Sequence, residues 1–297
     1  MKHDMEMQSS QQIFAIPKTN GKQMVSTDMK KYISIQGKHG LTAGVLLFMF
    51  AFLYTSASAQ NNRITNHHTI GWYNVFGTVK FHSKWSLHTE YQWRRNDIVE
   101  NWQQSLLRVG VNYHLNPRVL FRAGYGWIET FPYGETPING LGKDFTEHRI
   151  FEMVQLQHKE SIAHFSHRFM LEQRFVGTYR SPDSSKEDDY PMLNRFRYMF
   201  RLQVPLKGKS IQAKTPYVVL YDELFIGFGK NVNANIYDQN RLGVLLGYRL
   251  NDHMDLNAGY LYQNVQLGRQ INQQNVFQNN HGVIVNLSVD VNVQKRK

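Results

Sequence analysis

Arg168, Glu172 and Arg174 fall at even positions of one stretch of alternating apolar residues, and Arg195, Arg197 and Arg201 at odd positions of the next. In an extended chain, residues two or four apart share a face. Each triplet therefore lines one side of a strand, and antiparallel pairing of the two strands brings Glu172 close to the arginines opposite. Guanidinium forks facing a carboxylate can form a salt-bridge ladder that fills a narrow interior. Where arginines outnumber acids, they can instead make a selectivity or binding surface for an anion. Both readings stay open from sequence. Glu90, Arg94, Arg122, Glu223 and Arg241 lie on other strand-like segments and can extend the network.

Other chemistries find weaker footing. Ser166 and His167 are adjacent, so in a strand they point to opposite faces, and Glu147 with His148 has no serine partner in the pattern. A nucleophile needs a base and an orienting group within hydrogen-bond reach, so no catalytic residue is assigned. A barrel-embedded lipid-modifying enzyme remains an alternative. His67, His68, His82 and His88 lack a metal-ligand spacing, and with no cysteine there is no thiolate site. The segment Ser181 to Tyr190 (SPDSSKEDDY) is acidic without an EF-hand pattern and reads as a solvated loop. No metal and no cofactor is expected.

The elements that must carry these charges are strands. In WSLHTEYQW, Trp85, Leu87, Thr89, Tyr91 and Trp93 share one face, and Ser86, His88, Glu90 and Gln92 the other. The same alternation sets Leu242, Val244, Leu246, Tyr248 and Leu250 against Arg241, Gly243, Leu245, Gly247 and Arg249. Charges and most glycines share a side, as expected where one face meets hydrocarbon and the other a polar lumen. Trp85, Trp93, Tyr113, Trp127, Tyr198 and Tyr248 are candidates for interfacial girdles. The phase of Ile70 to Phe81, Glu147 to His158 and Tyr217 to Phe228 is unresolved by pattern. Period-two reading gives about eleven strands and no helix, with connections alternating between short and long. The long ones are Thr130 to Phe145, Gly177 to Leu193, Gly229 to Asn240 and Leu267 to His281. Because single-chain bacterial barrels normally have an even count, the expectation is an all-β, antiparallel transmembrane β-barrel of 12 strands, with a missed strand near Asn61 to Thr69, or of 10, with one of the eleven segments not a strand.

Leu41 to Tyr54 is the longest apolar run, preceded by Lys30, Lys31 and Lys38 and followed by Ala57, Ser58 and Ala59. This reads as a signal peptide, too short for a spanning helix. The expected organisation is a polar extension over 1–37, a signal peptide over 38–59 and the barrel over 60–297. Residues 1–59 hold six lysines and three acids, so the remainder carries 28 basic and 20 acidic side chains, a net +8. No run of five like charges occurs, which argues against a nucleic-acid arm. Mean hydropathy is −0.49; no mature segment is apolar over a helix-spanning length, so a helical membrane protein is excluded.

The series WYNVFGTVKFHSKWSLHTEYQWRR, VNYHLNPRVLFRAGYGW, EHRIFEMVQLQH, HRFMLEQRF, NRFRYMFRLQVPL, YDELFI and NRLGVLLGYRL resembles the exported proteins grouped as domain of unknown function 2490. HRFMLEQRF (His167 to Phe175) and NRFRYMFRL (Asn194 to Leu202) are the more specific segments. The resemblance implies an outer-membrane barrel and supplies no catalytic residue. The chain departs from many bacterial barrels in ending VNVQKRK rather than on an aromatic residue. The expectation is therefore a bacterial outer-membrane protein, reached after signal-peptide export: a narrow pore, binding or structural component with a charged lumen. Its expected partners are outer-membrane lipid, lipopolysaccharide and the barrel assembly machinery, with a small solute or ion possible and no nucleic acid. A soluble exported β-sandwich that binds a ligand is the further alternative.

Overall fold

The computed structural model describes residues 63–233 and 235–294; the extension and signal-peptide readings lie outside them. The described residues form eleven strands: β1 (Arg63–Lys80), β2 (Trp85–Asn96), β3 (Asn101–Asn116), β4 (Val119–Thr130), β5 (Phe145–Glu160), β6 (Ala163–Val176), β7 (Met192–Pro205), β8 (Thr215–Phe228), β9 (Tyr237–Arg249), β10 (Met254–Ile271) and β11 (Gln274–Asn292). Each pairs with its neighbours in chain order, and β1 closes on β11, giving one closed barrel. A single closed sheet overturns the sandwich alternative. Closure also removes the unpaired edges that an open sheet would present.

The even-count argument for twelve or ten strands does not hold here. Residues 63–69, suspected of hiding another strand, are the start of β1. With eleven strands the first and last run the same way, so the seam is a parallel pair. It extends from Arg63 opposite Asn275 to Lys80 opposite Asn292, while every other pairing is antiparallel. Inside the seam, Asn74 donates to Asn286 Oδ1 at 2.8 Å, and Asn286 donates to Asn257 Oδ1 at 2.8 Å. Gly282 is required there, because a Cβ would sit 1.7 Å from the Ile70 carbonyl oxygen.

One end of the barrel carries the longer connections, 131–144, 177–191 and 229–236; the other carries 81–84, 117–118, 161–162, 206–214 and 250–253. We call these the loop end and the turn end. The long loop anticipated over Leu267 to His281 is instead a continuation of β10 and β11, joined by Asn272 and Gln273 at φ 50° and 61°. Two successive positive φ values suit the twist of a tight hairpin, and asparagine tolerates that region better than most residues.

Alternation holds around the barrel. Leu107, Val109 and Val111 are exposed outward while Arg108, Gly110 and Asn112 are buried inward. Leu246 is 66% exposed and its neighbour Leu245 2%. The three unresolved strands take their phase from the sheet: Ile70, Trp72 and Asn74 of β1, Glu147, Arg149 and Phe151 of β5, and Tyr217, Val219, Glu223 and Phe225 of β8 are buried. Glycine makes room for more than arginine. A Cβ at Gly243 would meet the Tyr221 ring at 2.1 Å, and one at Gly247 the Tyr217 ring at 2.2 Å, so these tyrosines of β8 lie across β9. Trp85 packs on Tyr113 at 4.8 Å near the turn end, and Trp93 packs on Trp102 at 6.2 Å near the loop end. Tyr198 sits at mid-strand instead, bonded to His167.

Candidate functional site: a charged lumen with two chambers

Glu172 is wholly buried at mid-height of the lumen. Its Oε2 accepts from Arg195 Nε at 2.8 Å, and its Oε1 accepts from Arg197 Nη1 at 2.7 Å and Arg108 Nη2 at 3.3 Å. Arg149 approaches the same carboxylate to 4.0 Å. Register explains this convergence: Glu172 of β6 pairs with Phe151 of β5 and with Arg195 of β7.

Four further carboxylates extend the network. Towards the turn end, Glu223 takes Arg197 and Arg168, each at 2.7 Å, and has Arg241 at 3.8 Å. Towards the loop end, Glu147 binds Arg149 and Arg174 at 2.5 and 2.6 Å. Asp238 links Arg195 at 2.7 Å to Arg174 at 3.4 Å. Glu90 receives Arg108 at 3.0 Å. Buried ions at this density persist only because each finds opposite charge and hydrogen bonds at close range.

Aromatic faces complete the belt. Arg94 and Arg241 lie over the Trp72 ring at 3.8 and 4.7 Å, and Arg195, Arg197 and Arg241 lie over Phe225 at 5.1, 4.5 and 4.5 Å. The Trp72 indole N–H donates to Gln103 at 2.7 Å. Guanidinium on an aromatic face adds cation–π attraction while closing space.

The belt divides the lumen into two chambers of about 690 and 740 Å³. Both are lined by Trp72 and Arg241 and otherwise have separate walls; Glu172 lines neither. Over the loop-end chamber, connection 131–144 folds inward: Tyr133 donates to Gln278 Oε1 at 2.8 Å, and Arg269 donates to the Pro137 carbonyl at 2.8 Å. Connections 131–144 and 177–191 are tied together by Lys143 donating to the Ser184 carbonyl at 2.6 Å and Tyr179 to the Asp144 carbonyl at 2.8 Å.

Of the residues singled out from sequence, Arg168, Glu172, Arg195, Arg197, Glu223 and Arg241 meet in one network, with Arg174 at its loop end and Glu90 joined through Arg108. Arg94 bonds Gln92 and Gln104 rather than a carboxylate. Arg122 donates to Asn112 Oδ1 at 2.6 Å, and Arg201 makes no hydrogen bond or ion pair among the described residues. The sequence pattern does not assign Arg108, Glu147, Arg149 or Asp238 to the network. Arg108 shares the lumenal phase of its strand, which was a usable signal. Glu147 and Arg149 lie where the phase was ambiguous, and Asp238 lies in a stretch that reads as loop.

A serine–histidine contact does occur: Ser86 Oγ is 2.9 Å from His114 Nε2. Ser86 is wholly buried and its oxygen accepts from Asn112 at 2.9 Å. Ser166 lines the turn-end chamber, whereas His167 bonds Tyr198 at 2.9 Å. His67 stacks on His281, His68 packs on Tyr133, His82 sits in a turn and His88 bonds Glu90 at 3.4 Å.

The sequence profile of the family described as "Protein of unknown function (DUF2490)" matches residues 69–275, from within β1 to the start of β11. The chain belongs to this family. The matched span covers every residue of the central network, so the belt lies inside the family's own domain. Among solved structures the chain is similar to one described as "NanC porin structure in rhombohedral crystal form", at 14% identity and a TM-score of 0.41, covering 75% of this chain and 98% of that one. No curated protein matches the sequence.

Proposed function

We propose that this chain is an exported protein of the bacterial outer membrane: a narrow barrel, stoppered at mid-height, that admits small solutes or ions into its chambers and restricts their passage between them. The barrel's outward belt of leucine, valine and aromatic residues supports the membrane assignment, because a continuous apolar band of this extent matches a lipid surface better than water. The Leu41 to Tyr54 segment with its Ala-Ser-Ala sequence supports export through a cleaved leader. The observation that carries the restriction is the wholly buried Glu172, clasped by arginines from β3 and β7 across the lumen.

Single-channel recording of protein refolded into planar bilayers tests this. The wild type is expected to show low conductance, and Arg197→Ala a higher one, because Arg197 bridges Glu172 and Glu223 between the chambers. Large, steady wild-type conductance unchanged in Arg197→Ala would contradict a stopper at this height.

A further inference from the structure

The two chambers differ in how their charges are satisfied. At the loop end, Arg149, Arg174 and Arg195 each hold a carboxylate within 3 Å. The turn-end chamber is lined by nine arginine and lysine side chains against four aspartates and glutamates, and several of the arginines have spare donors, Arg201, Arg122 and Arg168 among them. Arg201 has no hydrogen-bond or ion-pair partner among the described residues. Arg122 is held through its Nε alone, by the neutral Asn112. Arg168 gives one nitrogen to Glu223, while its buried Nε has no partner.

These three sit together. Arg201 of β7 pairs with Ser166 of β6, two residues from Arg168 on the same face. Arg122 lies on β4, one strand beyond β5, whose Gln155 pairs with Arg168. Arg168 acts electrostatically on both Arg122 and Arg201. The acids that face them are held by other arginines: Glu223 is shared among Arg168, Arg197 and Arg241, Asp255, which attracts Arg201, is bound by Arg249 at 2.8 Å, and Glu90, which attracts Arg122, is bound by Arg108 at 3.0 Å. Like charges facing one cavity repel. A chelated anion would turn that repulsion into attraction.

We propose that the turn-end chamber is a binding site for a small solute bearing an oxyanion, a carboxylate or phosphate group, gripped by Arg122, Arg168 and Arg201. Guanidinium forks match such groups in both geometry and charge. At about 740 Å³ the chamber lies within the usual range of small-molecule sites. The proposal deepens the reading of the lumen as a solute compartment and rests on it.

The test is thermal unfolding of the refolded barrel in detergent, followed by the heat-dependent shift in its gel mobility, with inorganic phosphate or acetate titrated against chloride at matched ionic strength. Phosphate or acetate, but not chloride, raises the midpoint, since a ligand bound only by the folded state stabilises it. Comparing the two oxyanions separates phosphate from carboxylate preference. Arg201→Gln and Arg122→Gln each weaken the apparent affinity about tenfold, while the exposed loop variant Arg180→Gln does not. Without oxyanion, Arg201→Gln unfolds at the wild-type temperature or above, because a repelling charge has gone. A barrel that folds but responds identically to all three anions overturns the site and leaves the membrane reading standing. So does an Arg201→Gln protein that is destabilised without ligand, which would make Arg201 structural.

Discussion

Glu172 of β6 and Arg195 of β7 stand directly opposite each other across a strand pair, with the arginine Nε 2.8 Å from the carboxylate and both side chains almost wholly buried. Arg197 and Arg108 close on the same carboxylate, so its charge holds three strands' side chains together. Glu172→Gln keeps the shape and removes the charge, leaving buried guanidiniums uncompensated. Breaking a buried pair in this way costs about 3–5 kcal/mol, measurable by urea titration of the refolded barrel. A change within about 0.5 kcal/mol, the range of ordinary surface substitutions, would contradict the central place given to this residue.

The acidic connection 177–191 is ordered by its carboxylates. Burial alone would raise the Glu187 carboxyl, but hydrogen bonds from the Thr146 N–H, 2.8 Å away, its own backbone N–H and the Thr146 and Tyr190 side chains together outweigh it and hold the group below its usual value of 4.5. A depressed carboxyl contributes stability that is fully present above the unfolded value and is lost as pH falls through the folded one. Limited proteolysis should therefore cut the 177–191 connection faster as pH drops below about 4.5. Glu187→Gln should weaken that dependence and leave the part carried by Asp188, whose carboxyl the Arg180 N–H and the Ser184 hydroxyl also hold below its usual value. Identical acid sensitivity in both proteins would rule Glu187 out as its cause.

Long connections face outward in outer-membrane barrels and tight turns face the periplasm. Because the chain lacks cysteine, single cysteines report orientation cleanly. Ser184→Cys, in connection 177–191, should react with an impermeant maleimide on whole cells, and Lys209→Cys, in connection 206–214, only after the cells are opened. The reverse pattern would invert the barrel, and an equal reaction at both sites would deny that it spans the membrane.

The alternation that makes β2, β3, β7 and β9 strands was plain in the sequence, since an apolar residue at every second position has one physical meaning when the intervening positions carry arginine and glycine. What local pattern did not contain was closure. An even strand count is a regularity of antiparallel seams, and nothing in β1 or β11 alone announces that they run side by side in the same direction. The phase of β5 and β8 was equally opaque because both faces carry mixed residues. Glu152 of β5 faces outward with Gln173 3.3 Å away, and Asp222 of β8 faces outward accepting from Asn240 at 2.6 Å, while Phe151 and Phe225 point inward. Hence Glu147, Arg149 and Asp238 emerge only once neighbouring strands fix the register.

Leu246 is the most exposed large apolar side chain of β9, on the face assigned to lipid. Leu246→Asp should block insertion, because a charge on that face costs up to about 2–4 kcal/mol near the midplane. Fractionation and heat-dependent gel mobility would read the loss, and a variant recovered folded in bilayers would count against the lipid assignment.

The account depends most on successive side chains meeting hydrocarbon and lumen by turns. Spin labels on single cysteines at Val244, Leu245 and Leu246, in protein reconstituted into bilayers, measure this residue by residue through relaxation by oxygen, which concentrates in lipid, and by a water-soluble nickel chelate. Oxygen should dominate at 244 and 246 and fall sharply at 245. A flat profile across the three, or a maximum at 245, would contradict a transmembrane barrel with a charged interior.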